Sequence, residues 1–477
     1  MKIENIIPYD LVIFGAKGDL SCRKLIPALY RLELQNLLHI NTRIIGVGRA
    51  DWNNNHYSSI VLQALKKFHS DSIDINIWNT FKNKLYFYNL DVTKIDNFIH
   101  LKYTLNQSKN TKIYYFAVPP NKFNNICEGL GKIQYNTQPN RIIVEKPIGV
   151  SLKSSQIINK QLNKYFHENQ IFRIDHYLGK ETILNLLTLR FANPIFHNIW
   201  NNTAIKYVKI TVSETIGIEN RWAYFDSIGQ TKDMVQNHLL QILSLITMSV
   251  PKKLDAYHIR KQKIEVLKSL RKIDSKNIYT HTLRGQYSSG MINGNIVPSY
   301  IEENGAKKDS DMETFVLIKA NIDNTTWSGV PFFLKTGKRM HTKKTEIVIY
   351  LKNIPNSIFM NHINNNYANK LRIILEPNEG IEIEFLNKKP DINNKYILKK
   401  SKLNFQYSDI TKDKIADAYE RLLFESMKND QSLFVSKEEI ETSWEWIDSI
   451  IHAWKTNKIK IQLYPSGTKG LYFSKKN

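Results

Sequence analysis

The segment Arg173 to Glu181, RIDHYLGKE, gathers a carboxylate, an imidazole, a phenol and an ammonium into one short stretch. His176, Tyr177 and Lys180 together offer cations and a phenolic donor, the set that suits a phosphate with about −1.5 to −2 charges and strong acceptor oxygens. Read as an extended stretch, the segment sends neighbouring side chains to opposite sides, so Asp175 and His176 are expected to address different partners, one orienting a base and the other touching substrate. A second cluster, Asp233 to Gln241, opens the strongly apolar helical stretch LLQILSLI. Its His238 reads either as a capping or core residue or as a general base. The second role suits an imidazole, which titrates near neutral pH and whose tautomer a paired carboxylate fixes. Residues 331–344, PFFLKTGKRMHTKK, set Lys335, Lys338, Arg339, Lys343 and Lys344 around a glycine turn after an apolar strand. This is either a solvated basic loop or a site for a phosphorylated substrate.

Other residues address a nucleotide. The first apolar strand runs into GAKGDL, Gly15 to Leu20, a turn that opens a helix. Its glycines let backbone approach a pyrophosphate, and a helix N-terminus offers N–H groups and a positive dipole end. The turn is a G-x-x-G variant without the full G-x-G-x-x-G, so an ordinary strand-to-helix turn stands beside the nucleotide reading. Arg49 follows the second strand, where an acidic residue would accept from the ribose of NAD and an arginine favours the 2′-phosphate of NADP. A solvated arginine is the plain alternative, and Asp51 keeps dual cofactor use open. The fifth strand delivers Glu145-Lys146-Pro147 at its carboxyl edge, where ligands of open parallel sheets bind.

These groups need a frame, and the first third of the chain supplies one. Apolar strands are expected at 9–15, 43–48, 84–90, 112–118 and 141–146, alternating with amphipathic helical stretches such as Leu20 to Leu38. That alternation predicts a parallel, helix-covered α/β sheet of Rossmann type. Beyond about Phe172 the pattern changes to longer strands with period-2 alternation at 204–214, 313–322, 345–352 and 381–386. With helices near Asp413 to Lys428 and Lys437 to Trp454, this predicts an α+β part with a large, mostly antiparallel sheet. The expected division is 1–176 and 177–477.

Composition narrows the function classes. The 477 residues are 42% hydrophobic, enough to bury a sizeable core, which excludes disorder. Two cysteines, Cys22 and Cys127, supply neither a disulfide framework nor a zinc site, and a reducing, cytoplasmic setting is expected. MKIENIIPYD has no apolar stretch of signal-peptide length, and the run Leu239 to Val250 is far short of the ~20 residues of a spanning helix. Lys and Arg number 67 against 44 Asp and Glu, a formal +23. Lysine arrives with Asn and Ile throughout, as in NNNHY, and no basic stripe is interleaved with aromatics, so no nucleic-acid partner is expected.

RIDHYLGKE, with GAKGDL, EKP, DMVQNHLLQ and KTGKR in this order, resembles the glucose-6-phosphate dehydrogenase family, over nearly the whole length from Asp10 to about residue 470. The resemblance implies an N-terminal Rossmann-like NADP domain and a C-terminal α+β domain that makes a homodimer or homotetramer. It also implies oxidation of D-glucose 6-phosphate at C1 to 6-phosphoglucono-δ-lactone, the entry step of the pentose phosphate pathway, without a metal. Carried over, it makes His238 the base and Asp175 its carboxylate partner. His176, Tyr177 and Lys180 would hold the phosphate with Lys343 assisting, and Glu214, Asp233 and Lys338 would contact sugar hydroxyls. Lys146 would lie between substrate and nicotinamide, followed by a cis bond to Pro147. Gly15, Lys17, Gly18, Asp19, Leu20, Arg49, Asp91 and Val92 would hold the cofactor. Lys17 and Ser21 stand where the family commonly has Ser and Ala, and Lys469 where it usually has Trp. The alternatives are another hexose phosphate, NAD as cofactor, or a basic RNA-binding or structural protein without activity.

Overall fold

Every residue of β1 (Tyr9–Phe14) is buried, as a strand covered on both faces must be. The computed structural model describes residues 7–359, 369–390, 392, 397–409 and 415–473. Beside β1 lie β2 (Arg43–Gly48), β3 (Leu85–Asn89), β4 (Thr111–Phe116), β5 (Arg141–Val144) and β6 (Ile171–Arg173), all parallel, in the order β3-β2-β1-β4-β5-β6. Five of the six were expected within about three residues. The sixth is too short to carry a pattern, and it sets up the turn that holds Asp175. The helix expected over Leu20 to Leu38 starts with a π-wound turn, Ser21–Leu25, and continues as an α-helix, Ile26–Leu34. It packs Leu25, Leu29 and Leu32 in one core with Leu11 and Ile13 of β1 and with Tyr57, Val61 and Leu65 of the helix Asn54–Phe68.

The chain forms two compact units. The first runs to Gly179 and includes two later segments, Lys252–Arg260 and Ala416–Glu441. The helix Ala418–Lys428 contributes Tyr419, Leu422, Leu423 and Met427 to the core of that first unit. Asp413, where this helix was expected to begin, lies outside the described residues. The second unit holds Lys180–Pro251, Lys261–Ile415 and the residues from Thr442 on.

The second unit is built on β7 (Ile205–Ser213), β8 (Thr282–Ser288), β11 (Phe315–Ala320), β12 (Phe332–Gly337), β13 (Lys344–Leu351), β14 (Lys370–Glu376), β15 (Gly380–Lys388), β16 (Leu398–Gln406) and β17 (Gln462–Pro465). β9 (Gly290–Ile292) and β10 (Asn295–Val297) form a separate hairpin. The sheet order is β16-β15-β14-β13-β7-β12-β11-β8-β17. It is antiparallel except at two joints, β7 with β12 and β8 with β17, which are parallel. No helix among the described residues is long and apolar enough to cross a membrane.

At the amino end of β1 the fully buried Asp10 ties three strands together. Its carboxylate accepts from Arg43 of β2, from Ser108 at 2.6 Å and from Asn110 at 3.0 Å, with the Lys112 ammonium of β4 at 2.7 Å. Burial alone would raise its pKa, but Arg43, Lys112 and Ser108 more than offset that and hold it below the usual carboxylate value. A depressed folded-state pKa adds stability that is fully present above the unfolded value near 4 and is lost as pH falls through the folded value. Asp10→Asn is therefore expected to lower unfolding free energy by about 3–5 kcal/mol at neutral pH, because it leaves two cations without their carboxylate. Urea denaturation should also show a flatter stability profile below about pH 4 than the parent protein has. Parallel profiles and a loss under about 1 kcal/mol would remove Asp10 as the clasp.

Candidate active site

In the first unit the strand order reverses between β1 and β4, and the crevice at their carboxyl ends is where an open parallel sheet takes a ligand. Gly15 leaves β1 there with φ +91°, and a Cβ on it would meet the Ala117 carbonyl oxygen at 2.3 Å. Only glycine can occupy that position. The turn is closed by Gly18 N–H to the Gly15 carbonyl at 2.9 Å and by the Ser21 hydroxyl to the same oxygen at 3.0 Å. Ser21 thus holds the turn. Lys17 is exposed with its ammonium 5.7 Å from the Trp52 ring centre, and Asp19 pairs with Arg23 at 3.6 Å. Leu20 packs against the sheet core.

Exposed Arg49 and half-buried Asp91 and Val92 follow β2 and β3 at the same edge. The Asp91 carboxylate accepts from the Thr93 amide at 3.0 Å and hydroxyl at 2.8 Å. Those bonds, with a smaller contribution from the Arg49 charge, hold it below the ordinary carboxylate range. A backbone cradle that excludes any Cβ, a helix start and a row of polar strand ends fit a dinucleotide.

At the end of β5, Lys146 precedes a cis bond to Pro147. Its neighbour Glu145 accepts from the Tyr115 hydroxyl at 2.5 Å. Burial raises the Glu145 carboxyl's pKa, and the hydrogen bond from Tyr115 and the charge of Lys146 only partly counter it. Beyond β6, Asp175 is 3% exposed, and one of its oxygens accepts from the Tyr177 amide at 3.0 Å. That bond turns the chain, so His176–Gly179 is a 3₁₀ turn and not the extended stretch expected from the sequence. The turn also packs closely against a helix far along the chain, since a Cβ on Gly179 would meet the Ala418 carbonyl of Ala418–Lys428 at 2.6 Å. His176 lies between two rings, 5.1 Å from Tyr177 and stacked 6.3 Å from Tyr419. Fully buried Arg173 anchors the turn's other side with a two-pronged bond to Glu168 at 2.6 and 3.0 Å.

In the second unit, Lys180 caps the helix Glu181–Phe191 and pairs through its ammonium with Glu376 at the end of β14. Lys343 reaches the other oxygen of Glu376 at 3.5 Å. Burial works to raise the Glu376 pKa, but Lys180 and then Lys343 outweigh it and keep the carboxylate charged. Lys338 and Glu214 are paired at 2.7 Å, with Lys338 2% exposed and 5.3 Å from the Phe225 ring centre. Their backbones are joined as well, through Glu214 N–H to Gly337 at 3.0 Å and Met340 N–H to Glu214 at 2.8 Å.

Thr231–Leu239, which carries Asp233 and His238, is wound as a π-helix. Its i→i+5 bonding widens the turn and brings residues five apart, Asp233 and His238, to one side, whereas α winding would rotate them well away from each other. The π segment is tethered at its start by Gln230 to the Thr336 hydroxyl of β12 and by the Thr231 hydroxyl to Glu313, both at 2.7 Å. His238 itself is 1% exposed.

Sequence reasoning did not pick out Glu376 or Tyr115, and it named Glu145 only as part of the strand end that delivers Lys146. Glu376 closes a strand whose alternation gives no sign of a role, and Tyr115 lies within an apolar run. Of the other expected cations, Lys335 is pushed down to about 8 by burial and by Lys344, Lys209 and Lys469, while Arg339 pairs with Glu303 at 3.1 Å. Among the described residues no three His, Cys, Asp or Glu side chains gather as a metal-binding group would.

A doubly wound sheet with a glycine cradle at its switch point, and a second unit bearing a buried imidazole and paired lysines, define a nucleotide-linked dehydrogenase. Residues 12–185 match the family described as glucose-6-phosphate dehydrogenase, NAD binding domain, and residues 187–476 match glucose-6-phosphate dehydrogenase, C-terminal domain. The chain is 56% identical over 471 residues to the glucose-6-phosphate 1-dehydrogenase of Buchnera aphidicola subsp. Schizaphis graminum, covering 98% of this chain and 96% of that one. It is 50% identical over 462 residues to the Dickeya dadantii protein of the same name, covering 97% and 94%. A solved structure of glucose-6-phosphate dehydrogenase in complex with its substrate glucose-6-phosphate superposes with a TM-score of 0.90 at 33% identity, covering 98% of this chain and 96% of that one. The chain belongs to the glucose-6-phosphate dehydrogenase family and is an oxidoreductase.

Proposed function

We propose that this protein oxidises D-glucose 6-phosphate at C1 to 6-phosphoglucono-δ-lactone with NADP, as the entry step of the oxidative pentose phosphate pathway. The observation that carries the reading is the full-length likeness to a structure holding that substrate, in a chain whose own buried His238 shares a π-helical face with Asp233. His238 takes the proton of the C1 hydroxyl, and Asp175 orients the imidazole and stabilises its protonated form. Hydride leaves C1 only as electron density builds on that carbon from its hydroxyl, so proton removal and hydride departure are coupled or closely sequential. When bound, the nicotinamide supplies the hydride acceptor. His176, Tyr177, Lys180 and Lys343 hold the phosphate, which lies far from the reacting carbon, so their binding energy is spent on positioning. Glu214, Asp233 and Lys338 hold sugar hydroxyls, and Lys146 lies between substrate and nicotinamide. Gly15, Lys17, Gly18, Asp19, Leu20, Arg49, Asp91 and Val92 line the cofactor.

Nucleotide binding falls to residues 1–176, and substrate binding and assembly into a homodimer or homotetramer to 177–477. Its two free cysteines suit a reducing setting, and we place the protein's work in the cytoplasm. The test is direct: purified protein with glucose 6-phosphate and NADP should raise the NADPH absorbance band, with lower specificity constants for other hexose phosphates and for NAD. No increase across pH and salt would defeat the reading. Arg49→Ala is expected to weaken NADP by about 10- to 100-fold, the worth of a charge-assisted hydrogen bond, and NAD by less than about threefold. Equal losses for both cofactors in titrations would show that Arg49 does not read the 2′-phosphate.

A further inference from the structure

The helix Leu240–Thr247, which continues the π segment bearing His238, ends inside protein, where the carbonyls of its last turn cannot reach water. Four successive carbonyls are met by side chains from three separate places. Arg190 donates to Leu245 at 2.5 Å and to Met248 at 2.6 Å, Trp200 to Ile246 at 2.7 Å, and Trp327 to Thr247 at 2.7 Å. Arg190 is 5% exposed and Trp327 1%. No carboxylate among the described residues answers Arg190, and burial pushes its guanidinium down to about 9. A buried cation without a counter-ion is costly, and an apolar residue of similar volume is often the more stable choice. The negative ends of two helix dipoles meet it instead, since Arg190 stands in the last turn of the helix Glu181–Phe191 as well as at the end of Leu240–Thr247. The rings of Phe191 and Trp200, at 4.5 and 5.5 Å, complete its surroundings.

Both helices therefore run out from one guanidinium. One ends at Lys180 and the other continues into His238, arms of roughly 15 Å and 10 Å at 1.5 Å rise per residue. The far end of the first arm is fixed again, with the Thr182 amide donating to Glu379 at 3.0 Å and Lys180 paired with Glu376. We propose that Arg190, which caps this helix end together with Trp200 and Trp327, is a positioning residue that sets the base at His238 relative to the phosphate contact at Lys180, so that phosphate binding is turned into alignment of C1. The inference rests on the proposed roles of those two residues. It requires that losing the strut should remove the advantage of a phosphorylated substrate more than it harms the reaction itself.

The test compares glucose 6-phosphate with unphosphorylated glucose in Arg190→Lys, which keeps the charge but not the two-pronged bond. We expect kcat on glucose 6-phosphate to fall about tenfold or more, because small misplacements cost that much, with its KM and the glucose rate moving less than about threefold. An unchanged kcat, or the same fractional loss on both substrates, would overturn the proposal, since general loosening does not distinguish them. If Arg190→Lys does not fold, Trp327→Phe, which removes one donor and keeps the ring, decides by the same comparison, with an expected split of about threefold. Wild-type protein inactive on glucose 6-phosphate would overturn the proposed function and this inference with it.

Discussion

His238→Asn is expected to lower kcat on glucose 6-phosphate by about 10²- to 10⁴-fold, the usual contribution of a positioned general base, while KM for the sugar moves little. Asparagine preserves a buried polar side chain of similar reach, so the substitution removes the titrating group with the least disturbance to a residue that is 1% exposed. The tethers that set the π winding, Gln230 to Thr336 and Thr231 to Glu313, are untouched. The variant should therefore melt within a few degrees of the parent and bind the sugar normally. Turnover within about tenfold of wild type would defeat the assignment, because a bystander histidine contributes nothing that is specific to the transition state. A rise in KM with kcat preserved would make His238 a binding residue instead.

How far the sequence reaches is clear from particular elements. Strands β1, β2, β4 and β5 are buried on both faces, so each is written as an almost unbroken apolar run, and the turn after β1 announces itself because only glycine survives beside the Ala117 carbonyl. β16 is different: LKKSKLNFQ is mostly exposed and polar, so it carries no period-2 signal, and it exists because β15 offers it a partner. The parallel joint between β7 and β12 was equally hidden, since register between distant strands is not encoded by either one alone. The winding of Thr231–Leu239 is a tertiary outcome too. Its apolar spacing suits an ordinary α-helix, and the wider turn follows from anchors on residues 313 and 336. The same holds for the 3₁₀ turn at His176–Gly179, which packs closely against a helix some 240 residues later. Residue types at the candidate site were legible because their chemistry is rare in combination. Two of their supports, Glu376 and Arg190, were not, because each looks like an ordinary polar residue until its partners are known.

Lys180→Ala carries the second large effect, and Glu376 shapes it. With the proposed phosphate contact gone, kcat/KM for glucose 6-phosphate is expected to fall about 10²-fold, the loss of a charge-assisted bond to a dianion, while unphosphorylated glucose changes less than about threefold. The single substitution also leaves the Glu376 carboxylate facing the phosphate with only the more exposed Lys343, at 3.5 Å, to answer it. Part of the loss is therefore repulsion between two anions and not the missing attraction. Neutralising that carboxylate separates the two. Lys180→Ala with Glu376→Gln should recover about threefold to tenfold of the lost kcat/KM, whereas Glu376→Gln alone releases Lys180 from its partner and costs less than the lysine substitution. Steady-state kinetics across the four proteins give the coupling. Parallel losses on glucose and glucose 6-phosphate would remove Lys180 from the phosphate site, and a double variant worse than the single would show that Glu376 supports the site by structure alone.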